Sequence, residues 1–205
     1  MKLSTASVFL IAALSLALPL TASAVQTLKL DADQSVLNWT GTKVTGKHQG
    51  TLKLKSGSLQ LDHGQIKGGA FDIDMTSLVD TDLKDPDYKT KLETHLRSED
   101  FFSVAKNPLA IFKITSVKPI ANAAAGQPNQ EITGDLTIKG ITHPVTFPAV
   151  VTLGKVKAEA TGTVKIDRTK YDIRYGSGKF FQGLGDKLIN DDFTIDLKLV
   201  SQVAV

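Results

Sequence analysis

The sequence predicts an all-β protein, an antiparallel barrel of about eight strands with one short α-helix inserted between them. Three observations carry this. Apolar and polar residues alternate along most of the chain, as in strands with one buried and one wetted face. The alternating runs are long and joined largely by short turns, which favours closure into a barrel. A single stretch abandons period two for helical spacing. A two-sheet sandwich is the competing architecture on these grounds.

Val36 to Val44 places Leu37 and Trp39 on one parity. Thr51 to Leu61 alternates through Leu52, Leu54, Leu59 and Leu61, and Gly57 within it predicts a bulge or bend. Gln65 to Met75 sets Phe71 and Ile73 against Asp72 and Asp74, with a sharp bend expected at Gly68-Gly69. The chain then leaves strand. Asp85 suits a helix N-cap, Pro86 the first turn and Asp87 the positive end of the dipole. Tyr88, Leu92, His95 and Leu96 follow on one helical face. Leu109 to Ile120 returns to strand, and 121–129 is a polar loop. Ile132, Leu136 and Ile138 then alternate with Thr133, Asp135, Thr137 and Lys139. Lys139-Gly140 breaks the run, and Val145 and Phe147 resume it, so this segment reads as a β-hairpin. Val145 to Leu153, Lys155 to Asp167 and Phe193 to Val203 complete the set. Tyr175 to Asn190 is a long Gly-rich loop of the kind found at a rim or mouth.

Residues 1–24 read as a cleaved signal peptide. Lys2 supplies the positive start, Val8 to Leu18 the apolar run, and Ala22-Ser23-Ala24 the small-residue cleavage site. The run is short for a membrane span, and no other segment is apolar enough, so no stable membrane insertion is expected. Cleavage leaves 25–205 as one exported domain, expected in the periplasm. The chain has no cysteine, which excludes disulfide staples and a thiol nucleophile. Basic residues number 24 and acidic 21, and loss of Lys2 lowers the net charge from +3 to +2. Nucleic acid is not an expected partner, because lysines such as Lys53, Lys55, Lys165 and Lys198 are spread singly along strands.

Several segments resemble one known family. They are His95-Leu96-Arg97-Ser98-Glu99-Asp100-Phe101-Phe102, Asn107-Pro108 leading into Ile111 to Ser116, and Gly134 to Thr142. Asp33 to Trp39 with Lys43 and His48-Gln49-Gly50, and Ile166 to Ile173, agree as well. In that order they resemble the YceI-like family, exported bacterial proteins with a lipocalin-like barrel known as polyisoprenoid-binding proteins. The resemblance implies a barrel holding an isoprenoid or other long apolar lipid, and a homodimer as a plausible assembly. One position departs from it: Asp172 stands where the family often has glycine.

The inward parity positions are the candidates for a lipid-lined cavity: Leu37, Trp39, Phe71, Ile73, Phe112, Ile114, Leu136, Ile138, Phe147, Val164, Ile166, Phe193, Ile195 and Leu197. Phe101 and Phe102, beside the helix, are candidates to close it. An eight-stranded barrel is either filled by side chains or able to hold one ligand, and the residues alone leave that open; the resemblance favours the cavity. Arg168 shares the parity of Val164 and Ile166. A charge there needs a carboxylate at the barrel's end or a polar ligand head. Lys43 allows the same argument.

No metal site or cofactor other than a bound lipid is expected. His48, His63, His95 and His143 are scattered, and Asp80, Asp82, Asp85 and Asp87 lack the calcium-loop frame. Gly176-Ser177-Gly178-Lys179 lacks the context of a phosphate loop, and there is no nucleophile elbow. The expected function is a non-catalytic periplasmic carrier or store of an isoprenoid or fatty-acid-type lipid. The alternatives are an enzyme acting on a lipid or small apolar substrate, marked by a convergent set such as His95 with an Asp and a Ser, and a solid-barrel envelope stress or interaction protein.

Overall fold

Alternation becomes a closed wall. A computed structural model describes residues 25–154 and 157–202; the expected leader, 1–24, lies outside them, as do the outermost residues of two expected strands, at 155–156 and 203. The strands are β1 (Gln26–Lys29), β2 (Val36–Lys43), β3 (Gly46–Asp62), β4 (Gln65–Asp80), β5 (Leu109–Pro119), β6 (Gln130–Ile138), β7 (Ile141–Leu153), β8 (Lys157–Asp167) and β9 (Ile189–Gln202). Helix α1 (Pro86–Arg97) lies between β4 and β5. Successive antiparallel pairs run from β2 through β9, β8, β7, β6, β5 and β4, and β4 returns to β3 and β3 to β2. The result is a closed eight-stranded barrel in which every wall strand has two neighbours.

The ninth strand does not widen the wall. β3 pairs with β2 from Leu52 back to Gly46 and with β1 from Leu61 to Ser58. A bridge between Leu30 and Ser201 ties the same line to β9. β1 and β2 are therefore one stave interrupted by the turn at 31–35. Sequence periodicity missed β1 because four residues, with only Leu28 buried, give too little alternation to read.

Turn chemistry follows the sequence closely. Lys139 and Gly140 sit at φ 53° and 73°, the paired left-handed residues that suit a two-residue hairpin between β6 and β7. Gly57 is not itself a bulge. The register shifts between Leu54 and Ser56, and Gly57 instead clears Leu30 and Phe71. Gly50 is required by a close approach, since a Cβ there would lie 1.9 Å from Val79 O and 2.7 Å from the Trp39 ring.

Inside, the end remote from α1 is filled. Phe112 stacks on Phe71 at 5.1 Å between centroids and meets Phe147 at 5.9 Å. α1 spans the other end. The Asp85 side chain accepts from the N–H groups of Asp87 and Tyr88, with Pro86 at the first turn, as the sequence predicts. None of its residues is fully buried. Its polar ties to the wall are Arg97 donating to Leu78 O, and Glu93 Oε1 accepting from Asp80 N–H at 2.9 Å.

Candidate functional site

The barrel holds a cavity of about 160 Å³ at the α1 end. Its wall comes from β2, β3, β4, β5, β6, β8 and β9, and Leu92 and Leu96 of α1 close it from above. Polar side chains enter only where strands begin or end: Thr42, Lys43, His48, Arg168, Asn190 and Asp192. The site is thus an apolar pit with one polar rim. An aromatic group caps it. His95 lies edge-on to Phe101 at 4.9 Å and to Tyr175 at 4.6 Å, and Phe102 meets Phe193 at 6.0 Å.

Trp39, Ile73, Phe101, Phe102, Leu136, Ile138, Ile166, Phe193 and Ile195 line this cavity, together with Arg168 and Lys43. Leu37, Phe71, Phe112, Ile114, Phe147, Val164 and Leu197 do not. They are buried in the packed remainder of the barrel, around the contacting rings of Phe71, Phe112 and Phe147. Sequence reading missed Leu52, Met75, Leu78, Ala110, Ile173 and Ile189, which complete the lining.

Arg168 is 4% exposed, and its hydrogen bonds are spent on the protein itself. Nε donates to Asn190 O at 3.0 Å, Nη1 to Ile173 O at 3.0 Å and Tyr175 O at 2.8 Å, and Nη2 to Ile189 O at 3.1 Å. Its carboxylate neighbour, Asp191, stands at 3.7 Å. The guanidinium pins the one-turn 3-10 helix Arg168–Tyr171 and both ends of the Gly-rich loop against β9. Tyr171 is buried beneath this turn, and burial, with the charge of Asp167 adding, pushes its phenol up to about 12. Lys43, by contrast, is exposed at the rim.

One rim constellation was invisible in the sequence. β3–β4 register sets Gly50 opposite Asp80 and so brings His48 beside Asp80 and Asp82. His48 Nδ1 lies 3.1 Å from Asp82 Oδ2, and Asp82 Oδ1 accepts from Gln49 N–H at 2.8 Å. Asp80 is fully buried. Burial pushes its carboxyl above the ordinary range, the Leu83 N–H opposes this, and the neighbouring Asp82 adds to it. Asp82 moves the other way: burial alone would raise it, but the Gln49 N–H, Asp80 and His48 together hold it down. No spacing rule finds such a group, because 34 residues separate its histidine from Asp82.

The YceI-like domain family matches residues 28–201. The chain belongs to the YceI-like family. It is 31% identical over 131 residues to a UPF0312 protein of Ectopseudomonas mendocina, covering 60% of this chain and 63% of that protein. It is 37% identical over 101 residues to protein YceI of Escherichia coli, covering 49% and 47%. The chain thus spans between about half and just under two thirds of the length of these relatives. Among solved structures, BcnA of Burkholderia cenocepacia superposes with a TM-score of 0.63 at 22% identity, covering 83% of this chain and 98% of that chain. A polyisoprenoid binding domain from Saccharophagus degradans gives 0.59 at 17% identity, covering 88% and 100%. At these identities the structural likeness is one of fold, and it confirms the lipocalin-like YceI barrel.

The backbone accounts for Asp172. It caps the 3-10 turn at φ 56°, a left-handed conformation that glycine adopts freely and aspartate tolerates. The His95 group is not arranged as a catalytic triad. The imidazole meets Asp100 at 3.0 Å, but the Ser98 hydroxyl donates to His95 O at 2.8 Å and not to the ring.

Proposed function

We propose that this protein binds an isoprenoid or other long-chain apolar lipid in its barrel and carries or stores it in the periplasm, without catalysing a reaction on it. The supporting observation is the shape of the pit, apolar from floor to rim and polar only at one end. That arrangement suits a chain with a polar head. The Saccharophagus degradans relative is described as polyisoprenoid binding, and the leader read at 1–24 supports export.

The cavity volume sets how binding works. A space near 160 Å³ resembles the ~150 Å³ cavities that accept one benzene-sized group, whereas drug-sized ligands need pockets of ~300–1,000 Å³. One end of a chain fits as the barrel stands. The rest leaves through the rim or displaces α1, Phe101 and Phe102. Native mass spectrometry and organic extraction of protein purified from its own periplasm test the reading. A copurifying lipid at near one per protein is the expected result. Protein that is consistently empty, and that also takes up no prenyl quinone, overturns it.

A further inference from the structure

His48, Asp80 and Asp82 form a group of which only His48 borders the cavity. His48 stands near the start of β3, Asp80 ends β4, and Asp82 opens the connection to α1. Their ligand atoms all lie within 4.8 Å of one another. Asp80 is 0% exposed. Its Oδ1 accepts from the N–H groups of Leu83 at 2.8 Å and Asp82 at 3.2 Å. Its Oδ2 is buried with no hydrogen-bond partner, and one carboxylate oxygen of Asp80 belongs to this group. A bare carboxylate oxygen in the interior calls for a cation or a proton. Arg97 does not supply the charge, since it is committed to Leu78 O and Glu93.

We propose that His48 Nδ1, Asp80 Oδ2 and Asp82 Oδ2 bind a divalent first-row transition ion, Zn²⁺ being the best match. One imidazole nitrogen and two carboxylate oxygens suit zinc better than calcium, which takes 6–8 oxygen ligands. Around tetrahedral zinc, ligands at about 2.0–2.1 Å from the metal stand ~3.4 Å apart. His48 Nδ1 and Asp82 Oδ2, at 3.1 Å, are already near that spacing. Asp80 is held by the two backbone donors and Asp82 by Gln49 N–H, so the carboxylates are oriented before the ion arrives. The side chains of His48 and Asp82 are 30% and 29% exposed, which gives an ion a way in and leaves a fourth position for water. On binding, the His48–Asp82 hydrogen bond is replaced by two bonds to the metal. The proton on Nδ1 moves through solvent to Nε2, or leaves to solvent when the ring starts as imidazolium, so a neutral imidazole gives its Nδ1 lone pair to the metal. The ion would join the start of β3, the end of β4 and the root of α1 at the cavity rim.

The test uses the protein stripped with a chelator and titrated with Zn²⁺ by calorimetry, with Ca²⁺ and Mg²⁺ as comparators. One equivalent of Zn²⁺ binds, and binding weakens by at least about tenfold in His48→Ala and in Asp82→Asn. His63→Ala, which removes another close His–Asp pair, that with Asp62, leaves it unchanged. Zn²⁺ raises the melting temperature of the parent protein and not of the His48 or Asp82 variant. Both substitutions fall on half-exposed side chains, so the fold is retained. Failure to take up micromolar Zn²⁺, or uptake that His48→Ala and Asp82→Asn leave intact, overturns the site. No lipid enters this experiment, so its outcome is separate from that of the carrier reading.

Discussion

Replacing Arg168 with Met keeps most of the aliphatic stem and removes every donor. Four backbone carbonyls, of Ile173, Tyr175, Ile189 and Asn190, then lose their partner in a place that is 4% exposed. Hydrogen bonds to charged groups contribute ~1.5–3 kcal/mol each, so four at the low end give about 6 kcal/mol. Avoiding the burial of a guanidinium offsets roughly 2 kcal/mol of that. The net loss is about 4 kcal/mol, within the ~3–5 kcal/mol seen when one partner of a buried charged contact is removed. For a domain of this size each kcal/mol shifts the midpoint by ~2–4 °C, so Arg168→Met should melt roughly 8–16 °C lower. Paired thermal and urea unfolding followed by circular dichroism measure it. Arg168→Lys should recover less than half, because one ammonium cannot reach four carbonyls spread around a planar fork. A loss below about 1 kcal/mol in the Met variant would refute the clamp and return Arg168 to the ligand.

Gly50→Ala places a methyl 1.9 Å from a backbone carbonyl that cannot yield; a loss of about 3 kcal/mol or more is expected by urea denaturation, with altered Trp39 fluorescence. Asp172→Gly relieves a left-handed residue and removes only the exposed pair with Arg174; its stability should be unchanged or up to about 1 kcal/mol higher by the same measurement. Asp80 has a raised carboxyl pKa, so its contribution is fully present below the ordinary value near 3.8 and is lost as pH rises through the raised one. Asp80→Asn should therefore melt higher than the parent in metal-free buffer at neutral pH, with the gap closing as pH falls, and equal melting at every pH would contradict this.

Alternation showed the barrel because side-chain parity is a local property, set by the pleat and visible in any run of six or more residues. What it could not show is depth. Leu37 and Trp39 share a parity, yet only Trp39 borders the cavity; Ile114 and Ile73 both face in, yet only Ile73 does. In or out is written in the sequence, whereas height along the axis depends on how eight strands are staggered. The end of β4 was missed for a different reason. Thr76, Ser77 and Asp80 break the apolar rhythm, and the fold satisfies the first two individually, as when Ser77 Oγ donates to Asp74 O and accepts from Lys53 N–H at 2.8 Å. The rim group of His48, Asp80 and Asp82 needs the β3–β4 register, which no single stretch contains.

Helix α1 has no fully buried residue and is fixed to the wall largely through Arg97 and Glu93. The barrel's cooperative unit, its continuous ladder of backbone pairs, does not pass through it. Its amides should therefore exchange with deuterium through local openings far less costly than global unfolding, while those of β8 and β9 wait for the whole barrel to open. Opening at this end is decoupled from the stability of the container, so the cavity can be exposed repeatedly while the barrel remains folded.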